Sequence, residues 1–285
     1  MSTALRIAHG AFGRVALLDM DQSLVRHAHP HCHVLLKVEG ADTQFAVGEK
    51  VYPLTSQTAV LVNGWQPHSY LHVPARPRTL ILALYIEPDW LTAFRPGWAA
   101  GGRPGFFNDP SGEVSPRIRS LAMNLAADLM ARPEAVTAHE AALSELMIAV
   151  IERFTPWRSL PASIRELNSQ PGDWRIRKAI QAMRSEPRRS SGLRSIFKEA
   201  GLSRAHFFRL FESSIGVPPK VYVNVVRMER AVDAVLNQST SFSEISGTLG
   251  FPDPAHFTRF FRNHAGVTPR EFRHVSRLSP LQAAS

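Results

Sequence analysis

Six of the chain's twelve histidines fall in one short stretch: His27, His29, His31, His33, His68 and His72. Imidazole is the commonest protein ligand for transition metals, and a sensing or catalytic centre needs three of them converging on one point. If His27 to His33 formed one strand, side chains alternating with period two would turn all four to one face. Pro30 argues against a regular central strand there, because proline donates no N–H to a ladder. A His-x-His pair and a distant histidine on a neighbouring strand would supply the ligands, and His29, His31, His33 and His68 are the candidates. A divalent metal is the cofactor they would hold; without one, the same rings line a pocket or hydrogen-bond within it. Cys32 could add a soft ligand or a redox sensor, although a lone cysteine is more often an inert buried side chain.

A second chemistry lies at the other end of the chain. The stretch Gly201-Leu202-Ser203-Arg204-Ala205-His206-Phe207-Phe208-Arg209-Leu210-Phe211 recurs as Gly250-Phe251-Pro252-Asp253-Pro254-Ala255-His256-Phe257-Thr258-Arg259-Phe260-Phe261. Each copy is followed by a matching coda, Gly216-Val217-Pro218-Pro219 and Gly266-Val267-Thr268-Pro269. Two copies are too few for a solenoid, which needs about three. They fit a pair of helix-turn-helix modules, in which a helix, a glycine turn and a second helix with a basic outer face place one helix in a DNA major groove. Arg209 and Arg259 occupy the same position in the two copies, as expected of paired base readers.

Charge supports the division. Residues 1–160 carry 14 basic and 14 acidic side chains, whereas residues 161–285 carry 19 and 10, so the net +9 belongs to the duplicated half. A neutral half joined to a basic half implies that only the second meets a polyanion. One cysteine excludes an intramolecular disulfide framework. No signal-peptide pattern and no bilayer-length apolar run is evident, so a soluble, cytoplasmic protein without a membrane partner is expected.

The elements that must position these residues follow from periodicity. Short β-rich runs (Val15–Leu18, Val34–Val38, Phe45–Val47, Ala59–Val62 and Thr79–Ile86) predict a sandwich or small barrel. Helical stripes over Pro116–Arg132 and Thr137–Phe154 must bury either on that sheet structure or on a partner subunit. Residues 156–172, rich in Pro, Ser, Gly and Asn/Gln, read as a linker, with a short helix from Ile164 to Leu167 inside it. Asp173 then starts a helix through Met183. In the first unit a helix over Leu193–Ala200 stops at Gly201, and Ser203 caps the next. Its Phe207, Leu210 and Phe211 face inward while Arg204, Ala205, Phe208 and Arg209 face out. In the second, Phe242–Leu249 is the support helix, Asp253 the cap and Pro254 the first helical residue. There Phe257, Phe260 and Phe261 face inward, leaving Ala255, Thr258, Arg259 and Arg262 outside. A helix over Val221–Leu236 joins the units.

Residues 173–273 resemble the DNA-binding domain of the AraC/XylS family of transcriptional regulators, most specifically at Gly250-Phe251 and Ala255-His256-Phe257-Thr258-Arg259-Phe260-Phe261-Arg262. The His29-Pro30-His31-Cys32-His33 run and Val62-Asn63-Gly64-Trp65-Gln66-Pro67-His68 resemble the two histidine motifs of a cupin barrel. The metal-binding cupin pattern also has a glutamate four or five residues after the His-x-His pair; after His31 the chain offers Leu35, Leu36 and then Lys37, with Glu39 a little beyond. The resemblance implies an α+β two-domain chain. A cupin-like N-terminal β-barrel with two following helices (1–155) binds a small-molecule effector and forms a homodimer. The 156–172 linker leads to an all-α DNA-binding domain with two helix-turn-helix units (173–273) and a tail (274–285). Carried over by position, Ser203, Arg204, Ala205, Phe208, Arg209, Ala255, Thr258, Arg259 and Arg262 contact double-stranded DNA, Arg262 through phosphate. His29, His31, His33, Trp65 and His68 line the effector site, and His206 and His256 are structural. The family also implies activation through contact with RNA polymerase. Phe197 and Ser246 stand where the family has a small alanine, and Phe197 would splay the first unit. The rival readings are a metal-dependent cupin enzyme and an architectural DNA protein; the first lacks its glutamate and the second leaves the N-terminal half without a task.

Overall fold

In the computed structural model, residues 2–73, 75–95, 98, 105–156, 173–185, 193–236 and 239–276 are described. Nine strands come first: β1 (Thr3–Gly10), β2 (Gly13–Met20), β3 (Cys32–Gly40), β4 (Thr43–Val47), β5 (Lys50–Leu54), β6 (Thr58–Val62), β7 (His68–Leu71), β8 (Thr79–Ile86) and β9 (Ser111–Glu113). They form two antiparallel sheets, β1-β2-β8-β3-β6-β9 and β5-β4-β7. Among the described residues no strand pairing joins the two sheets into a closed barrel, so the predicted barrel is an open two-sheet arrangement. The β1–β2 turn needs glycine at Gly13, where φ is +102° and a Cβ would lie 2.4 Å from the Tyr85 carbonyl oxygen.

The central strand β8 reads Thr-Leu-Ile-Leu-Ala-Leu-Tyr-Ile, apolar almost throughout because both faces are covered. Leu82, Leu84 and Ile86 face a core shared with two helices, α2 (Pro116–Ala131) and α3 (Val136–Phe154), which follow the short α1 (Pro88–Leu91). Ile118, Leu125, Leu129, Leu146 and Ile151 are all at most 1% exposed, so the helical stripes bury on the large sheet rather than on a partner. Ile81, Ala83 and Tyr85 point the other way, into a second core.

That second core does not stop at the domain boundary. It continues into the C-terminal helices, which are α4 (Trp174–Ser185), α5 (Leu193–Glu199), α6 (Arg204–Ile215), α7 (Pro219–Leu236), α8 (Phe242–Thr248), α9 (Pro254–Ala265) and α10 (Pro269–Ser276). Helix α10 packs on β1, and its Phe272 lies 5.9 Å from the His9 ring, ring centre to ring centre. The first unit has its own core around Phe207, Phe211 and Tyr222, joined from the N-terminal half by Ala28 and Trp65. The expected linker from 157 onward, its short helix at 164–167, the helix stop before Pro187 and most of the tail lie outside the described residues. No helix among the described residues is long and apolar enough to cross a membrane.

Candidate nucleic-acid interface and a histidine-lined seam

The two reading units form by the same local rules. In the first, α5 ends at Gly201 with φ +66°, and the Ser203 hydroxyl accepts the His206 N–H at 3.3 Å to start α6. In the second, a reciprocal capping box between Ser241 and Glu244 opens α8, Gly250 turns at φ +74°, and Asp253 accepts the His256 N–H at 2.8 Å. The His256 ring also meets Asp253, at 2.8 Å, tying down the start of α9; those bonds hold the Asp253 carboxyl below its usual range. Both helices end on a left-handed glycine, Gly216 and Gly266.

The faces divide as periodicity predicted, with two refinements. Phe207, Phe211, Phe257 and Phe261 are fully buried, while Leu210 and Phe260 are only half-buried. Outside lie Ser203, Arg204, Ala205 and Arg209 on the first unit, and Ala255, Arg259 and Arg262 on the second. Phe208 and Thr258 are intermediate, and the Arg204 guanidinium lies over the Phe208 ring at 5.5 Å. Phe197 does not stay clear of its recognition helix: its ring lies 6.3 Å from that of Phe207 within one core. Ser246 fills the alanine position at 2% exposure, with no partner for its hydroxyl.

Between the halves lies a cavity of about 1290 Å³. The N-terminal half contributes His9, Arg14, the 26–31 segment, Tyr85 and Glu87; α7 contributes Val225, Met228, Glu229 and Val232, and α9 adds His264. The apolar stripe of α7 therefore serves both the core, through Val225 and Val235, and the cavity wall. Burial pushes the Glu229 carboxyl up, with His31 and Arg184 opposing. Trp65, expected at the effector site, is not in this wall. Its ring instead stacks on Tyr222 of α7 at 4.8 Å and 12°. Tyr222 in turn accepts a bond from Arg184 Nε at 2.9 Å.

The histidines converge in a register different from the one expected. His31 turns away to Glu87, 2.8 Å from its carboxylate, and that bond holds Glu87 below its usual range. His27 takes its place: one ring nitrogen from each of His27, His29 and His68 lies within 4.8 Å of the others. The segment before β3 is irregular, as Pro30 requires, and His27 joins β7 only by an isolated bridge to His68. His33 enters the group from β3, with its Nδ1 2.8 Å from His29 Nε2. Burial and the neighbouring imidazoles push His27, His29 and His33 far below the ordinary histidine value, and burial takes His68 to about 4. Four neutral rings thus stand together. Cys32 beside them is fully buried and its thiol is pushed up to about 12, the inert state expected of a lone core cysteine.

Sequence reasoning named His27 in the cluster but left it out of the ligand set, and it missed Glu87, Tyr222 and His264. A signal for the first was present: His27-Ala28-His29 is itself a His-x-His pair, and four residues after it stands His33. Where a glutamate was sought beyond His31, the structure offers an imidazole in the earlier register.

The family described as AraC-like ligand binding domain matches residues 13–150, and the helix-turn-helix domain family matches residues 196–274. The lactose operon transcription activator of Staphylococcus xylosus is 28% identical over 99 residues, 35% of this chain and 36% of that protein. The Msm operon regulatory protein of Streptococcus mutans is 30% identical over 111 residues, 39% of this chain and 38% of the relative. The chain thus spans little more than a third of these curated relatives' length. Among solved structures, apo ToxT from Vibrio cholerae superposes with a TM-score of 0.58 at 13% identity, covering 95% of this chain and 99% of that one. ToxT with a bound unsaturated fatty acid gives 0.52 at 11% identity, covering 97% and 95%. That likeness is one of fold.

Proposed function

The chain belongs to the AraC family of transcription regulators, with its ligand-binding and helix-turn-helix domains, and from that premise we propose that it binds specific operator DNA and activates transcription in response to a small effector. The observation that carries the reading is the pairing of Arg209 and Arg259. Both are exposed at equivalent positions of α6 and α9, and neither is engaged by a carboxylate among the described residues. Helix α7 between the units has 18 residues, a rod of about 27 Å. Such a spacer suits two recognition helices in successive major-groove segments on one face of the duplex, about 34 Å apart.

Arg209 and Arg259 then read guanine by bidentate hydrogen bonds, the commonest specific contact in the major groove. Arg204, Ala205, Phe208, Ala255 and Thr258 complete the base-facing set, Phe208 and Ala255 suiting thymine methyl groups. Ser203 and Arg262 hold phosphate, which fixes register without specifying sequence. The effector binds where the 27–33 segment faces α7, so that His29, His31, His33 and His68 belong to sensing rather than to turnover. Trp65 serves the seam and not the ligand.

The regulator acts in the cytoplasm as a homodimer and contacts RNA polymerase. Support for pairing comes from Met123 and Met130, exposed at 44% and 43% on α2 two helical turns apart, on the side facing away from the sheet. Selection of bound sequences from a random DNA library tests the central claim. The expected product carries two conserved blocks about one helical turn apart, and footprinting should protect both. Recovery of no sequence preference would overturn the reading.

A further inference from the structure

The histidine cluster contains a surplus of lone pairs. His27 Nδ1 lies 2.8 Å from the Val25 carbonyl oxygen, His29 Nδ1 3.1 Å from that of His31, and His68 Nδ1 2.9 Å from that of Gln66. A carbonyl only accepts, so each of these Nδ1 atoms carries the proton and each Nε2 presents a lone pair. His29 Nε2 then accepts from His33 Nδ1, which leaves His33 Nε2 as another acceptor. The Nε2 atoms of His33 and His68 are buried without a hydrogen-bond partner. His27, His29 and His68 therefore bring one ring nitrogen each within 4.8 Å of the others, and His33 stands against them with its Nδ1 2.8 Å from His29 Nε2. An unpaired buried acceptor is costly, so a site with several needs a shared electron-pair acceptor.

Protons serve poorly, because the His27 and His68 rings lie 4.4 Å apart and those of His29 and His33 4.9 Å, centre to centre, which would set like charges in contact. A single ion can take one lone pair each from His27, His29 and His68 at once, the His29 nitrogen exchanging its bond from His33 for the ion. The backbone carbonyls behind each Nδ1 have the arrangement that orients and enriches a metal-ligating imidazole. An all-nitrogen set selects the zinc, nickel, cobalt and copper group of ions over magnesium or calcium.

We propose that His27, His29 and His68, with the His33 ring packed beside them, form a transition-metal site, and that its occupancy is the signal this regulator reads. The proposal rests on the regulator reading and names its effector. The site is placed to report. The Trp65 N–H donates to the His29 carbonyl at 2.7 Å, and Gln66, which orients His68, is its chain neighbour. Trp65 stacks on Tyr222 of the first reading unit, while His264 of the second lies 6.1 Å from the His27 ring. Drawing the imidazoles onto an ion shifts the two segments that touch both units.

The test uses the full chain after chelation, titrated with zinc, nickel and cobalt and followed by calorimetry, metal analysis and the ligand-field absorption of cobalt. One ion per chain is expected, with cobalt bands of a nitrogen-rich site. His68→Ala and the milder His27→Gln should each weaken binding more than tenfold, while His274→Ala leaves it unchanged. Operator affinity of the same preparation, with and without metal, should differ at least fivefold. Failure of the wild-type chain to bind any of the three ions overturns the site. Binding that survives both substitutions overturns the assigned ligands, and binding that leaves operator affinity unchanged overturns the signalling role. Operator binding by the chelated protein is read independently, so loss of the regulator reading is distinguishable from loss of the metal site.

Discussion

Replacing Trp65 should separate the first reading unit from the effector half, and the size of the effect follows from three contributions. Trp65 has φ +66°, a left-handed conformation that costs a non-glycine residue about 1–2 kcal/mol. Its half-buried indole removes on the order of 100 Å² from water, worth about 2.5 kcal/mol at roughly 25 cal/mol per Å². The near-parallel stack on Tyr222 adds about 0.5–1.5 kcal/mol. Trp65→Ala keeps the backbone strain and loses the other two contributions, so docking of α7 weakens by about 3 kcal/mol, a factor of more than a hundred. Trp65→Gly loses the same contacts but relieves the strain. It should therefore be the more stable of the two variants by about 1 kcal/mol, although glycine is ordinarily the worse replacement.

Small-angle scattering and urea unfolding read the two effects. The wild-type chain should unfold in one transition through the shared seam; both variants should show an expanded radius and a separate transition for the first unit. An unchanged radius and a single transition in Trp65→Ala would refute the seam argument. A Gly variant less stable than the Ala variant would refute the strain argument.

Other expectations follow from the same contacts. Arg259→Ala should lower operator affinity more than tenfold in fluorescence anisotropy, Arg209→Ala comparably, and the double variant by about the product, since a bidentate base contact carries about 1–3 kcal/mol. Equal affinity of Arg259→Ala and wild type for a selected operator would remove that residue from the readers. Ser246→Ala removes a buried hydroxyl with no partner, so it should raise stability by about 1 kcal/mol; a lower Tm would contradict this. His9, half-buried with its ring tilted at 56° to that of Phe272, has its pKa lowered from 6.5 to about 3 by desolvation and by the Arg14 charge. Its folded value lies below its unfolded one, so its contribution is fully present above pH 6.5 and is lost as pH falls toward 3. The unfolding free energy from urea titrations should decline across that window at up to about 1.4 kcal/mol per pH unit for this proton. A profile in His9→Gln as steep as wild type would assign the decline elsewhere.

How far the sequence disclosed this arrangement depended on whether the information was local. Gly201, Ser203, Gly250 and Asp253 act on their immediate neighbours, so both helix-turn-helix units were legible to within a residue or two. The stripes of α2 and α3 were legible as stripes, but their destination was not, because a sheet face and a partner's helix look alike from one chain's periodicity. The histidines show the other limit. Period-two reasoning needs a regular strand, and Pro30 breaks it, so His31 swings to Glu87 while His27 comes in. Glu87 lies 56 residues from His31, a separation over which no local pattern carries information. Trp65 was misplaced for a related reason: it is half-buried at a seam whose other side belongs to a different domain.

A ligand in the N-terminal half can change DNA binding only if it binds two arrangements of the halves with different affinity. An effector enclosed within a closed barrel would meet the same walls in either arrangement. Here the sheets are open, one core runs from β8 to Phe272, and the cavity takes more than a third of its wall from α7 and α9. Any occupant of that seam must therefore distinguish docked from undocked reading units. A tenfold preference for the docked form, about 1.4 kcal/mol, is less than the roughly 3 kcal/mol that burial and stacking of Trp65 contribute together. Docking is thus strong enough to hold one arrangement and weak enough, contact by contact, for a bound ion to redistribute it. For that reason the DNA-binding half must be present in any assay of the effector site. Residues 1–155 alone keep the four imidazoles but lose Tyr222, Glu229 and His264. A truncated chain that bound metal with the affinity and enthalpy of the full chain would show that the C-terminal half has no part in the site, and the coupling argued from the seam would fail with it.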